Sequence, residues 1–249
     1  MIGIVVVSHS PKLAEAAFEL AREMVPSSAP RVALAAGTGD GLTGTDATRV
    51  AAAIAEVASP DGVLVLMDLG SAVLSAELAI EFAGDVGGEV RLSSAPIVEG
   101  LLAAFVRAAG GANLDEVDQE ARNALAGKES QLGHPKPGGS EGQPAASEGQ
   151  PGASAAAGES GALEERFVLP NPEGLHARPA SLIVTALGGL DAKLTVRTGD
   201  KKPADGRSPI GLMALGARQG DEIVVAATGA QAAEALAAVR ELIAKSFGE

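Results

Sequence analysis

Unbroken apolar runs at residues 2–7, 31–36 and 62–67, with a weaker one at 88–92, alternate with helical stretches in the first half of the chain. Runs without polar alternation are the pattern of strands buried on both faces. Ser10-Pro11 supplies a cap and a first-turn proline for the first helix; Thr45 or Asp46 opens the second, and Ser71 can cap the third. Further helices fall near 97–109 and 114–126. This alternation predicts an α/β doubly wound, mainly parallel sheet with helices on both faces. In such folds ligands sit beyond the carboxyl ends of the strands, where the strand order reverses. His9 and Asp68 each fall just past a predicted strand end.

The second half has a different rhythm. Strands are expected at Phe167–Leu169, at Ala192–Thr198 with period-2 alternation, near 201–205 and at Glu222–Ala227. Helices are expected at Ala177–Leu187, Ser208–Leu215 and Gln231–Phe247. The order βαββαβα suggests an α+β open-faced sandwich, with helices on one antiparallel sheet. Between the halves, residues 128–162 are rich in Gly, Ser, Pro, Gln and Ala, and Ser-Glu-Gly-Gln-Pro occurs at 140–144 and again at 147–151. Such a segment buries too little apolar surface to hold one conformation, so it reads as a flexible linker. About 35 residues of this kind span roughly 30 to 35 Å and keep their ends at an effective concentration on the order of a millimolar. The expected organisation is therefore a domain at 1–127, a linker at 128–162 and a domain at 163–249.

Composition narrows the function classes. The net charge of -13 is unevenly spread: Lys and Arg against Asp and Glu number 8 to 18 in residues 1–130, 1 to 3 in 131–163 and 10 to 11 in 164–249. An acidic first part and a near-neutral last part argue against a nucleic-acid partner, which needs a concentrated basic face. With no Trp or Tyr and 5 Phe, stacking platforms for bases are missing too. No stretch approaches the roughly 20 apolar residues that cross a bilayer, and the amino terminus lacks a signal-peptide pattern, so no membrane association and a cytoplasmic location are expected. The absence of Cys removes disulfides, thiolate catalysis and cysteine metal sites. His134 lies beside Pro135 in the linker and reads as solvated; no metal site is expected.

Chemistry concentrates at two of the three histidines. In Gly174-Leu175-His176-Ala177-Arg178-Pro179-Ala180, His176 stands at the mouth of a helix, where unpaired amides, including that of Ala177, and the positive end of the helix dipole meet. Arg178 adds a planar, permanently charged donor for phosphate oxygens. A neutral imidazole there can attack a phosphoryl donor, although a lone solvated or capping histidine fits the same position. In the first half, Ser8-His9-Ser10-Pro11 and Met67-Asp68-Leu69-Gly70-Ser71 are both strand-to-helix turns. If their strands are neighbours, Asp68 accepts the proton on one ring nitrogen of His9 and leaves the other as nucleophile, with Ser71 and the turn around Ser10 facing the phosphate. Ordinary capping roles for the aspartate and serines fit the spacing as well. The loop Gly37-Thr38-Gly39-Asp40-Gly41-Leu42-Thr43-Gly44-Thr45 lacks the ending of a nucleotide-binding P-loop; it either lies over the histidine or is a plain surface loop.

The septet around His176, followed by Gly211-Leu212-Met213-Ala214-Leu215-Gly216-Ala217-Arg218-Gln219-Gly220-Asp221-Glu222, resembles HPr, the histidine phosphocarrier of the bacterial sugar phosphotransferase system. The resemblance covers nearly all of 164–249 and implies that enzyme I phosphorylates His176 at the ring nitrogen facing the helix amides, with Arg178 assisting. Ser208 occupies the position of a regulatory serine found in some HPr proteins; it also serves as a helix cap, and Pro209 departs from the family's apolar residue. Gly3-Ile4-Val5-Val6-Val7-Ser8-His9-Ser10, Gly37-Thr38 with Asp40-Gly41 and Gly44-Thr45, and Asp68-Leu69-Gly70-Ser71 resemble the mannose-type IIA domain. They are closer still to the phosphoryl-transfer subunits of bacterial dihydroxyacetone kinase.

That resemblance implies a homodimer through the first domain, with His9 phosphorylated and Asp68 its partner. It also implies a phosphotransferase activity, as a component of phosphoenolpyruvate-dependent dihydroxyacetone phosphorylation. The phosphoryl group would pass from enzyme I through His176 and His9 to ADP on one kinase subunit, while another binds dihydroxyacetone; free HPr is a further possible donor. Phosphohistidine intermediates then replace any permanently bound cofactor. Some relatives continue into an enzyme I-like fragment, which this sequence is expected to lack. Two other readings share the chemistry: a sugar-transporter IIB domain as acceptor, or a non-catalytic phosphorylation sensor.

Overall fold

In the computed structural model, described residues are 1–25, 29–39, 42–132 and 162–248. The first domain runs β1 (Gly3–Ser8), α1 (Pro11–Glu23), β2 (Arg31–Ala36), α2 (Ala47–Glu56), β3 (Val63–Met67), α3 (Gly70–Ala83), β4 (Val90–Ser93), α4 (Ile97–Ala109), α5 (Leu114–Arg122) and α6 (Ala126–Gln131). Its four strands are parallel in the order β2-β1-β3-β4. Because side chains alternate along a strand, Val5, Val7, Val63 and Val65 point to one face, under α2 and α3, whereas Ile4, Val6, Leu64 and Leu66 point to the other, under α1, α4 and α5. Each such residue, removed from water on both sides of the sheet, contributes about 1.5 to 3 kcal/mol. This two-sided burial is why the strands carry no polar alternation.

Helix starts follow local chemistry. Ser10 caps α1 by accepting the Leu13 amide at 3.4 Å, and Asp46 caps α2 by accepting the Thr48 amide at 2.8 Å. Asn113 and Glu116 form a reciprocal capping box at the start of α5.

The second domain runs β5 (Leu163–Val168), α7 (Ala177–Ala186), β6 (Lys193–Thr198), β7 (Ala204–Asp205), α8 (Pro209–Ala214), β8 (Glu222–Thr228), α9 (Ala232–Ala244) and a 3-10 turn at Ser246–Gly248. Its sheet is antiparallel in the order β5-β8-β6-β7. Leu194, Val196, Ile223 and Val225 on the sheet meet Ile183, Leu187, Leu236 and Val239 from α7 and α9. The two domains touch where α4 and α6 meet α7 and α8.

Three boundaries depart from the sequence pattern. The first domain continues past 127: α6 runs to Gln131, four residues into the segment read as linker, and is held there by the Lys128–Glu99 ion pair and by packing on α8. Of that linker, 133–161, which include His134, lie outside the described residues. Strand β5 begins at Leu163, earlier than its apolar core Phe167–Leu169 suggested, because the pairing partners of β8 reach Leu163. Ser71 does not cap α3; Leu69 occupies that position, and the Ser71 hydroxyl turns elsewhere.

Candidate functional site

Strand β1 lies between β2 and β3, and the chain leaves it in opposite directions to reach them. This is the switch point of the sheet, the place beyond the carboxyl ends of the strands where ligands bind in sheets of this kind. His9 follows the end of β1, and Asp68 follows the end of β3; the Asp68 amide donates to the Val7 carbonyl at 3.2 Å, continuing the ladder by one bond. The two side chains therefore meet although 59 residues separate them.

The Asp68 carboxylate receives four donors. Its Oδ2 accepts the His9 amide at 2.8 Å and the Ser8 hydroxyl at 2.9 Å. Its Oδ1 accepts the Leu69 amide at 2.8 Å and faces His9 Nδ1 at 2.9 Å. Burial pushes this carboxyl up, but the hydrogen bonds from the His9 amide, the His9 ring, Ser8 and Leu69 outweigh it and hold the group below its ordinary value. An ionised carboxylate can only accept, so the proton of the neutral ring resides on Nδ1. Nε2 is left with its lone pair, which accepts the Ser71 hydroxyl at 2.8 Å. Ser71 sits in the first turn of α3, so the ring nitrogen that would carry a group is bonded to the amino-terminal turn of a helix, the end that favours anions. With the His9 side chain 26% exposed and that of Asp68 8%, the reactive edge faces solvent while its support is buried.

The glycine-rich loop after β2 is tied to this turn. The Gly37 amide donates to the Ser8 carbonyl at 3.1 Å and the Gly44 amide to the His9 carbonyl at 3.0 Å. Thr45 and Ser75 share a hydrogen bond at 2.7 Å, joining the loop to α3. Asp40 and Gly41 of the same loop lie outside the described residues. Ser10 serves as the cap of α1, and its amide donates to Ser8 Oγ at 3.1 Å.

In the second domain His176 occupies the cap position of α7, and Ala177 is the first helical residue. The His176 turn is stitched to the segment before β8 by the Leu175 amide, which donates to the Ala217 carbonyl at 2.9 Å. Gly174 permits this approach: its φ is +67°, and a Cβ there would lie 2.1 Å from the Ala217 carbonyl oxygen. The Asn171 side-chain amide donates to the Gly174 carbonyl at 2.7 Å from a buried position. His176 Nδ1 is 3.9 Å from Glu173. His176 lines an open cavity of about 530 Å³, together with Lys201, Arg218, Met213 and Ala177. Arg178 is exposed one residue further along. Ser208 caps α8, accepting the Gly211 amide at 2.8 Å.

Sequence spacing brought out His9, Asp68, Ser71, His176 and Arg178, and the structure joins the first three into one cluster. His176 stands apart in the second domain, and Arg178, exposed on the first turn of α7, is not among the residues lining its cavity. Three contributors were given no role by the sequence: Ser8 and Arg218 lay inside its motifs and Lys201 outside them, yet Ser8 is buried behind Asp68, and Lys201 and Arg218 line the His176 cavity. Among the described residues no group of three or more His, Asp or Glu is placed to hold a metal, and no helix is long and apolar enough to cross a membrane.

Comparison with known proteins fits both sites. Residues 3–118 match the family described as PTS system fructose IIA component, and residues 163–245 match the PTS HPr component phosphorylation site family. A Listeria innocua protein, the phosphoryl donor subunit DhaM of PEP-dependent dihydroxyacetone kinase 2, is 36% identical over 124 residues, which is 49% of this chain and 98% of that protein. The chain belongs to the DhaM family of phosphoryl donor subunits. DhaM of Klebsiella michiganensis is 42% identical over 253 residues, 100% of this chain and 51% of that protein. DhaM of Escherichia coli K12 is 40% identical over the same 253 residues, with the same coverage of each chain. The chain thus spans about half the length of these longer relatives, and both of its histidine domains fall within the shared part.

Proposed function

We propose that the chain is a two-histidine phosphotransferase relay, carrying phosphoryl groups from enzyme I through His176 and then His9 to ADP on a dihydroxyacetone kinase subunit. The observation that carries this reading is the His9 ring held between Asp68 at Nδ1 and Ser71 at Nε2, at the switch point of the sheet. In the first step the His176 ring attacks the phosphoryl group carried by enzyme I; the new N–P bond forms as the donor's bond to phosphorus breaks and the donor recovers its electron pair, with the α7 amides, Arg178, Lys201 and Arg218 offsetting the charge. In the second, the Nε2 lone pair of His9 attacks phosphorus; the new N–P bond forms as the bond to His176 breaks, and His176 recovers its electron pair. Asp68 keeps the Nδ1 proton and stabilises the ring while it carries the group. In the third, a terminal phosphate oxygen of ADP attacks, and the N–P bond at His9 breaks. No step needs a redox partner or a permanently bound cofactor.

Two surface features support the partners. Leu42 and Leu69, 64% and 61% exposed, flank the His9 turn and offer apolar contact to an acceptor protein. On α3, Leu74, Leu78 and Phe82 form an exposed row at i, i+4 and i+8, which suits self-association of first domains into a homodimer. A cytoplasmic setting follows from partners of this kind.

The test is to combine the purified chain with phosphoenolpyruvate, enzyme I and the ADP-binding and dihydroxyacetone-binding subunits, and to follow dihydroxyacetone phosphate. His9→Ala is expected to abolish turnover, and full turnover in that variant refutes the relay. His176→Ala is expected to block labelling of His9 until free HPr is supplied. Labelling without any HPr means that enzyme I reaches His9 directly.

A further inference from the structure

The domains meet across a seam that the relay chemistry does not use. Glu120 of α5, 9% exposed, extends into the second domain, where its Oε1 accepts the Ser208 hydroxyl at 2.7 Å and the Ile210 amide at 2.9 Å. Ser208 in turn accepts the Gly211 amide, so the carboxylate and the hydroxyl together satisfy the first turn of α8. Arg107 of α4, 8% exposed, donates from Nη1 to the Arg207 carbonyl at 2.7 Å and from Nη2 to Glu116 at 3.2 Å. Beside these bonds Ile210 closes an apolar cluster with Ala103 and Ala124, and Ala126 and Met213 pack against it. Gly110 carries no side chain where Val184 of α7 arrives; a Cβ there would lie 2.9 Å from Val184 Cγ1. Buried charged groups hydrogen-bonded across the seam, an apolar plug and a backbone recess on one face are the marks of a built interface.

The place of this seam in the fold decides its role. Helix α4 starts on the sheet edge where His9 lies, directly after β4, and at 1.5 Å per residue Arg107 is about 15 Å further toward the opposite edge. The ring partners of His9, Asp68 and Ser71, belong to the first domain. Among the described residues, those lining the His176 cavity all belong to the second. Nitrogens that exchange a phosphoryl group must flank one phosphorus, the incoming one about 3 to 3.5 Å from it while the outgoing one is still bonded to it. The docked arrangement brings the wrong surfaces together for that. Met213 lies in both the seam and the His176 cavity, so docking also occupies ground beside His176 that a donor protein needs.

We propose that the α4–α6 face of the first domain is a receptor for the first turn of α8, and that the chain's own second domain rests on it between transfers. Transfer from His176 to His9 then requires release from this face. The proposal rests on the relay reading for its kinetic meaning, but docking itself is measured without any phosphoryl transfer.

The chain lacks cysteine, so spin labels at Glu19→Cys and Ala237→Cys, on exposed faces of α1 and α9, report the distance between domains uniquely. The unsubstituted seam is expected to give one narrow distance distribution, and Glu120→Ala and Ile210→Glu are each expected to broaden it. A broad distribution with the seam intact, or a narrow one in both variants, overturns the proposal and leaves the relay standing. Release is then linked to chemistry by cross-linking Asn123→Cys to Lys202→Cys, which line one cavity at the seam, with a short bismaleimide. The cross-linked chain is expected to lose at least tenfold in the rate of His176-to-His9 transfer relative to the same double variant without reagent. An unchanged rate overturns the resting role. If His9 is never labelled in any of these proteins while the distances behave as expected, the relay fails and the receptor face stands.

Discussion

Replacing Asp68 with Asn removes one charge while keeping the shape, and the consequence follows from the four donors around the carboxylate. Each oxygen position receives one backbone amide, His9 at Oδ2 and Leu69 at Oδ1, and a backbone amide can only donate. An asparagine has one oxygen and one NH2 group, so in either orientation one backbone amide faces another donor. With the oxygen toward the His9 amide, the NH2 group also faces Nδ1 of the ring, which must then accept. The proton moves to Nε2, and the nucleophilic lone pair is lost. With the oxygen toward Leu69, the ring keeps its tautomer but the His9 amide loses its acceptor, and the turn that aims the ring loosens. A buried donor left unsatisfied costs about 1 to 3 kcal/mol. At about 1.4 kcal/mol per tenfold this corresponds to roughly 5- to 150-fold in the rate of His9 phosphorylation. The assay follows acid-labile phosphate on His9 after mixing with phosphorylated second domain, with a urea titration of the same protein alongside. A rate equal to the unsubstituted chain, at an unchanged urea midpoint, refutes the role assigned to Asp68.

Three further outcomes are expected. Because the Asp68 carboxyl is held below its ordinary value in the folded chain, the stability it supplies is present above the unfolded carboxylate pKa and is lost as pH falls through the lowered one. Urea midpoints of the first domain should therefore fall below about pH 4, and fall less steeply in Asp68→Asn. Ser71→Ala removes one neutral hydrogen bond to Nε2, and single-turnover phosphorylation of His9 should slow by roughly 2- to 10-fold with no change in the thermal midpoint. Gly174→Ala forces a side chain into a left-handed backbone and onto the Ala217 carbonyl, so the second domain should lose about 1 to 3 kcal/mol in denaturant unfolding.

The first domain was readable because its signals are local and agree with one another. The run at 97–109 is the helix Ile97–Ala109, and Ser10-Pro11 and Asp46 start their helices where capping chemistry places them. The meeting of His9 and Asp68 was readable only as a condition, since spacing along the chain does not say which strands are neighbours; the β1–β3 pairing supplies that. Ser71 looked like a cap because a serine before a helix is one. Its hydroxyl is instead held by a ring that the sequence places 62 residues away. Helix α6 looked like linker because Gly127, Lys128, Glu129, Ser130 and Gln131 have no apolar periodicity, and its order comes from Glu99 and α8. The seam was invisible for a similar reason. Glu120 and Arg107 are charged residues on helices, and such residues are ordinarily solvated. Here both are buried and hydrogen-bond to groups of the second domain.

Both histidines sit in turns that backbone hydrogen bonds hold in place, and the His9 ring is held by Asp68 as well. A carrier prepared in this way has little to rearrange on loading, so little of the group's transfer potential is dissipated as structural change at either stop. On the proposed relay, the direction of flow is then set by the pools at its two ends rather than by the carrier. A high ratio of ATP to ADP on the kinase side should drive labelled phosphate backwards, from His9 to His176, through the same bonds that pass it forward.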